Sequence, residues 1–213
     1  MTKIPDHELL NTVSLWVAKY FQYAHCACCT FHDYNHTKET VVAGWEIAEG
    51  MQVSADELET VLLACWLHDL GLLHARDNHE VISAEIAKNF LAKHGVSREK
   101  IKDVNVCILA TKIPQRPATM LEKIVCDADI SHLGKDSYFK KNALLRREFE
   151  LNRRETYSDM EWWLLNKDFF QKHRYFTSYA LKRYNPQKIL NLKIIDNLLK
   201  KNGGRLPGFN EIP

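Results

Sequence analysis

The sequence contains little glycine and proline, 8 and 6 among 213 residues. These residues stand mostly between segments whose apolar positions repeat with a helical period. No alternation of apolar and polar residues extends beyond a few positions, which excludes a sheet as the main architecture. No apolar run is long and charge-free enough to cross a bilayer. Net charge is only +2, so we expect neither a nucleic-acid polymer nor a membrane as partner.

The six cysteines lack the paired spacing of a zinc site. One run, HCACC, holds Cys26, Cys28 and Cys29, whereas Cys65, Cys107 and Cys126 stand singly among apolar residues. We interpret the cysteines as reduced core residues, with a soft-metal or redox site in the run as the alternative. The opening residues MTKIPDHELLN show no signal-peptide pattern, so we expect a cytoplasmic protein.

The helical period predicts an all-α chain. Capping boxes are predicted at Ser54 with Glu57, Ser158 with Glu161 and Asp77 with Glu80, and Asn185-Pro186 predicts another helix start. The polar stretch near residue 150 marks either a boundary or a loop within one domain. We predict helices near 6–24, 34–50, 55–70, 78–94, 97–111, 118–131, 135–153, 158–172, 174–183 and 186–201.

The segment 55–70 places polar residues on a buried stripe. The stripe includes Leu58, Leu62 and Cys65, and His68 and Asp69 continue it at helical spacing. Because an unpaired buried carboxylate is costly, this pair is either satisfied by hydrogen bonds or bound to metal.

Two other segments carry ligand-type residues near an apolar stripe. His36 lies in the first turn of a helix that Asp33 caps, near its packed side. In LEKIVCDADISHLG, Asp129 flanks the apolar face, whereas Asp127 points away from it. Three separate helices thus supply nitrogen and oxygen ligands suited to a divalent metal ion.

The order H…HD…D resembles the HD superfamily of metal-dependent phosphohydrolases. LLACWLHDLG is similar to the apolar-HDIG stretch of that family, and the resemblance covers roughly residues 30–135. It implies that His36, His68, Asp69 and Asp129 bind metal. It also implies a compact multi-helix HD bundle, which we expect as one domain over 1–213 with a C-terminal helical extension at about 150–203.

The segment FHDYNHT is similar to the YHNxxH motif of class I cyclic-nucleotide phosphodiesterases. This finer resemblance implies that His32 is the acid that protonates the leaving oxygen and that His36 is a ligand. Phe31 and Asp33 depart from the motif, where Tyr and Asn stand in that family. The alternative is that His32 is a surface histidine near a helix start.

Two further residues are candidates for the site. The resemblance implies that His79, at a helix start, ligates a second metal ion bridged by Asp69; the alternative is a solvent-facing histidine. Glu80 is expected to complete a capping box rather than to act as a base. Lys112 either holds a substrate phosphate or lies near the carbonyl end of its helix. The later paired histidines of six-ligand HD sites are absent, and the chain reads ILATKIPQRP there.

These expectations combine into one functional hypothesis. The protein hydrolyses a phosphoester of a nucleotide, including the possibility of a cyclic phosphodiester, by metal-activated water, with Asp69 and His32 as catalytic residues. One or two divalent ions are expected, with Mn, Mg, Fe, Zn, Co and Ni all left open. The alternatives are an HD-fold mixed-valent di-iron oxygenase and a non-catalytic nucleotide-binding HD module. The sequence leaves the substrate and the oligomeric state open.

Overall fold

The computed structural model describes residues 8–24, 29–153 and 156–201. In these ranges the chain forms helices and no strand, which confirms the all-α prediction. A short 3-10 helix, Leu70–Leu73, follows the third α-helix after two intervening residues, and another, Ile130–Gly134, directly follows the sixth. The α-helices of the described ranges are α1 Glu8–Ala24, α2 Tyr34–Gly50, α3 Ala55–Leu67, α4 His79–Lys93, α5 Arg98–Ala110, α6 Met120–Asp129, α7 Tyr138–Arg153, α8 Asp159–Lys172 and α9 Ser178–Lys201.

Helix starts follow the capping residues in most cases. Ser54 and Ser158 form the predicted capping boxes at α3 and α8, and Thr119 with Glu122 forms another at α6. Asp33 caps α2 by accepting a hydrogen bond from the His36 backbone N–H at 2.8 Å.

The predicted capping box of Asp77 with Glu80 is wrong. The residue before α4 is Asn78, which adopts a left-handed backbone with φ of 56° and makes no side-chain cap. The helix therefore begins one residue later than a cap at Asp77 requires. The Glu80 side chain therefore forms no capping hydrogen bond, and it is buried.

The prediction of two helices separated before Pro186 is also wrong. Pro186 lies inside α9, although proline removes one helical hydrogen bond. Packing on both sides offsets that cost. Tyr184 is buried before the proline, and Asn191 after it donates hydrogen bonds to the Leu133 and Lys135 carbonyls at 2.9 and 3.1 Å.

Two apolar clusters form the core, and α9 contributes to both. The first cluster is built from α1–α6 and includes Tyr184 of α9. The second joins the segment Ile130–Gly134 to α7, α8 and Ile195 of α9. The buried Asp127 carboxylate accepts hydrogen bonds from the Phe176 and Thr177 backbone N–H groups at 2.9 and 2.8 Å. This pair of contacts fixes the start of α9 against α6.

The cysteines of the helices are core residues. Cys65, Cys107 and Cys126 are buried free thiols, which confirms the prediction for these three. Cys29 is half-buried, and burial together with Glu148 raises the pKa of its thiol to about 11. Cys26 and Cys28 lie outside the described residues. Among the described helices, none combines the length and apolar character that a membrane span requires.

Candidate metal centre

Four side chains from three helices converge on one point. His36 comes from the first turn of α2, His68 and Asp69 follow α3 directly, and Asp129 is the last residue of α6. The His68 Nε2 lies 3.1 Å from the Asp69 Oδ2, and the His36 Nε2 lies 3.3 Å from the Asp129 Oδ1. The two cross distances, from His36 to Asp69 and from His68 to Asp129, are both 3.5 Å. The structure thus brings together the four residues that the resemblance implies.

Local packing explains why these side chains meet. The α3 helix ends at Leu67, and the His68 Nδ1 hydrogen-bonds with the Cys65 carbonyl at 2.9 Å, which directs Nε2 into the site. Gly44 of α2 allows the close approach to α3, since a Cβ there would lie 2.7 Å from the Cys65 Sγ. The helices that carry the ligands are therefore fixed by apolar packing.

The donor set fits a divalent cation. The His36 Nε2, the His68 Nε2 and the Asp69 Oδ2 are buried and have no hydrogen-bond partner. Leaving three such atoms unpaired is costly. Ligands about 2.0–2.2 Å from one cation lie roughly 3–3.5 Å from each other, as these atoms do. A His-His-Asp group that could hold a metal is therefore present in His36, His68 and Asp69.

The electrostatics of the four groups are mutually dependent. Burial alone lowers the pKa of His36 and His68, but contacts with Asp69 and Asp129 outweigh it and raise both pKa values. Burial likewise raises the pKa of the two aspartates, and the histidines outweigh it and lower both. A cation at this site consequently competes with protons for the same atoms.

A buried carboxylate next to His32 was missed by the sequence analysis. Glu148 of α7 is 1% exposed; its Oε1 lies 2.5 Å from the His32 Nδ1, and its Oε2 accepts from the His32 backbone N–H at 3.0 Å. Arg76 donates to the same carboxylate at 2.9 Å. The His32 ring centroid lies 5.4 Å from that of His36. No local pattern marks Glu148, because 116 residues separate it from His32.

His79 lies on the opposite side of Asp69 from His36. The His79 Nε2 is 3.7 Å from the Asp69 Oδ1 and 3.6 Å from the Glu80 Oε1, and its Nδ1 bonds with the Arg76 carbonyl at 2.9 Å. His79 therefore faces the site rather than only solvent.

Lys112 does not contact the described ligands. Its ammonium group donates to the Asn78 side chain at 2.8 Å, one residue before His79. A substrate-binding role for Lys112 stays a prediction. His132, in the 3-10 helix Ile130–Gly134, packs its ring 5.1 Å from that of Phe31, and burial lowers its pKa to about 3.

The comparisons with known proteins agree with this geometry. The sequence profile of the HD domain family matches residues 33–134. No curated protein matches the chain significantly. The chain is similar to a Listeria innocua protein of solved structure, with 18% identity, a TM-score of 0.67, and 95% of this chain and 100% of that one covered.

Two other solved structures share the fold. Bacillus subtilis YpgQ, in complex with ADP, is 17% identical with a TM-score of 0.65, covering 92% of this chain and 98% of that one. A predicted HD superfamily hydrolase from an uncultured Thermotogales bacterium is 19% identical with a TM-score of 0.59, covering 89% and 91%. At these identities the likeness shows the fold alone. Residues 33–134 match the HD domain family, and this part of the chain contains His36, His68, Asp69 and Asp129.

Proposed function

We propose that the protein is a metal-dependent hydrolase of a nucleotide phosphoester. The observation that carries the proposal is the convergence of His36, His68, Asp69 and Asp129 around three buried polar atoms that lack hydrogen-bond partners. These residues are proposed to hold one divalent cation. When bound, such a cation supplies a nucleophilic hydroxide at neutral pH and neutralises charge on phosphoryl oxygens.

The residues of the chain supply position and a proton. Asp69 presents one carboxylate oxygen to the histidine pair and the other to His79, so it orients both sides of the site. His32 is held at Nδ1 by Glu148, which leaves Nε2 for a substrate. In hydrolysis, water adds to phosphorus and releases one proton to solvent, the bond to the leaving oxygen breaks, and the His32 Nε2 donates the proton that this oxygen takes up.

A nucleotide is the proposed substrate class. YpgQ, which shares the fold along almost its whole length, was solved with ADP. The His32 side chain is 21% exposed beside the buried ligands, so a phosphoester can approach from that side. Only the FHDYNHT resemblance supports a cyclic ester, so the cyclic ester is part of the proposal.

Replacement of His32 tests the proposed chemistry. His32→Ala should retain the cation, because His32 is not a proposed ligand, and should lose about 10²–10⁴-fold in kcat on a nucleotide ester with a sugar alkoxide leaving group. On a p-nitrophenyl ester, whose leaving group needs no proton, the loss should be far smaller. Steady-state kinetics with Mn²⁺ on both substrates measures the difference.

His94→Ala is the matched control. His94 follows the far end of α4, about 22 Å along the helix from His79, and its Nδ1 bonds with the Phe90 carbonyl. The control should keep full activity on both esters. Equal losses on the two esters in His32→Ala would refute the acid role, and no turnover of any nucleotide by the wild type would refute the proposed function.

A further inference from the structure

We propose that Arg76 binds the phosphoryl group of the substrate at the opening of the metal centre. This inference rests on the proposed function and deepens it, because it assigns the residue that recognises the phosphate. Lys112, the cation that the sequence suggests for this role, donates to the Asn78 side chain instead.

Arg76 is linked to two histidines of the site. Its Nη1 donates to the Glu148 Oε1 at 2.9 Å, and the same oxygen lies 2.5 Å from the His32 Nδ1. Its backbone carbonyl lies 2.9 Å from the Nδ1 of His79, whose Nε2 is 3.7 Å from the Asp69 Oδ1. One shared carboxylate oxygen therefore places the guanidinium next to the proposed acid.

Arg76 belongs to a group of partly exposed side chains that surrounds the buried ligands. The side chains of the four proposed ligands are between 1% and 15% exposed. Those of His32, Arg76 and His79, which we call the rim, are 21%, 26% and 23% exposed. The site is therefore most open where the rim residues lie. Arg76 is the member of the rim that stays charged at any physiological pH.

The Arg76 guanidinium has N–H groups that the protein does not use. Its Nη1 pairs with Glu148, and its face lies over the Phe149 ring, with 4.7 Å between the guanidinium carbon and the ring centre. Within the ranges that the structure describes, its other N–H groups make no hydrogen bond. Because the planar guanidinium pairs with two oxygens of a phosphate at once, these oriented donors suit a phosphoryl group.

The charge of the site gives Arg76 a reason to take part in binding. Asp69, Asp129 and Glu148 are buried or partly buried carboxylates, and their negative charge repels a phosphoester. A bound cation offsets part of that charge on the ligand side. Arg76 supplies positive charge on the side of His32, where the leaving oxygen is proposed to receive its proton.

Binding of inorganic phosphate tests the inference without relying on turnover. Protein loaded with Mn²⁺ and freed of excess metal is titrated with phosphate in a calorimeter. Arg76→Lys keeps a positive charge next to Glu148 but lacks the planar guanidinium, so it should bind phosphate about 10–100-fold more weakly than the wild type. Arg147→Lys, at an exposed position of α7, is the matched control and should bind phosphate with wild-type affinity.

Kinetics on two esters distinguish a phosphate contact from an indirect effect through Glu148. In Arg76→Lys, KM should rise by a similar factor on a nucleotide ester and on a p-nitrophenyl ester, because both carry a phosphoryl group. A loss confined to kcat on the nucleotide ester would show that Arg76 acts only through Glu148 and His32, and would overturn the assignment.

Chemical modification of the wild type provides a measurement that does not depend on the folding of a variant. Phenylglyoxal reacts with accessible guanidinium groups, and mass spectrometry of peptides locates the modified arginines. Phosphate should protect Arg76 in the Mn²⁺-loaded protein and leave the modification of Arg147 unchanged. Modification of Arg76 at the same rate with and without phosphate would count against the proposed contact.

The outcomes separate this inference from the proposed function. Unchanged phosphate affinity in Arg76→Lys, or no phosphate binding by the wild type, would overturn the role of Arg76 even if nucleotides are hydrolysed. Weaker phosphate binding by Arg76→Lys, together with no turnover of any nucleotide by the wild type, would support Arg76 as a phosphate-binding residue and refute only the proposed hydrolysis.

Discussion

Three histidines at the site are each held by a contact between the ring Nδ1 and an oxygen atom. The Nδ1 atoms of His32, His68 and His79 contact a Glu148 oxygen, the Cys65 carbonyl and the Arg76 carbonyl respectively. Each contact fixes the ring and leaves Nε2 for a ligand or a substrate. The site therefore depends on these outer contacts as well as on the residues that face the cation.

The sequence predicted the inner residues of the site better than the outer ones. His36, His68 and Asp69 stand out because they are polar at buried helical positions. Glu148 stands in a charged segment, LLRREFELN, where a glutamate is ordinarily solvent-exposed. Its burial depends on the docking of α7, which the periodicity of one helix does not encode.

We predict that Glu148 makes stability depend on pH in the acid range. Burial raises the pKa of Glu148, but hydrogen bonds from His32 and Phe31 outweigh this effect and lower it from 4.5 to about 2. Since the folded state has the lower pKa, the stabilisation is complete above about pH 4.5 and is lost as pH falls toward 2. The stability difference between wild type and Glu148→Gln should shrink by about 2 kcal/mol between pH 7 and pH 3.

Urea unfolding at a series of pH values measures this difference. Glu49→Gln, at an exposed position in α2, is the control and should show a constant difference from the wild type. A constant difference in Glu148→Gln as well would contradict the lowered pKa of Glu148.

At the scale of elements, the connection between α3 and α4 positions both sides of Asp69. The chain leaves α3 at Leu67, passes through the 3-10 helix Leu70–Leu73 and returns at His79. A Cβ on Gly71 would lie 2.1 Å from the His79 carbonyl oxygen, a backbone atom that no rotamer change can move. The glycine after the His-Asp pair thus allows the close approach of α4.

We predict that Gly71→Ala displaces the start of α4. The variant should lose about 1–3 kcal/mol of unfolding free energy, as overpacking typically costs. It should also weaken Mn²⁺ binding, because the connection that it displaces begins with His68 and Asp69. Urea unfolding and Mn²⁺ titration measure the two effects.

Gly95→Ala at the other end of α4 is the control for Gly71→Ala. Gly95 has a φ of +74°, but a Cβ there meets no atom within 4 Å, so the variant should lose stability through backbone strain alone and bind Mn²⁺ normally. Equal effects of both substitutions on Mn²⁺ binding would contradict the role assigned to Gly71.

The elements that sequence reasoning predicted best are those with local signals. The capping serines define α3 and α8, and the apolar period defines their lengths. Pro186 was interpreted as a helix start because proline usually ends a helix. Burial of Ala180 and Tyr184 on one side and of Ile195 on the other keeps α9 continuous, and this packing comes from residues remote in sequence.

At the scale of the whole molecule, α9 joins the two apolar clusters. The Tyr184 hydroxyl donates to Glu46 of α2 at 3.2 Å, and a Cβ on Gly134 would lie 2.2 Å from the Tyr184 carbonyl oxygen. The HD profile ends at residue 134, whereas the fold shared with the solved structures extends over most of the chain. A single domain over the full chain stays a prediction.

We predict that the chain unfolds in one cooperative transition because the clusters share α9. Amide hydrogen exchange followed by mass spectrometry, at increasing urea concentration, can compare peptides from α3 and α8. The most protected amides of both helices should report the same opening free energy and the same urea dependence. A lower opening free energy in α8 would indicate that the C-terminal helices form a separate unit.

The central claim is that four side chains remote in sequence hold a divalent cation, and metal content tests it most directly. Purified protein is loaded with Mn²⁺, freed of excess metal by gel filtration and analysed for bound metal. The wild type and an Asp103→Ala control, altered at an exposed position of α5, should retain the cation. Asp69→Ala should retain none, because Asp69 supplies the buried carboxylate oxygen next to His36 and His68. Retention of wild-type metal content by Asp69→Ala would contradict the account.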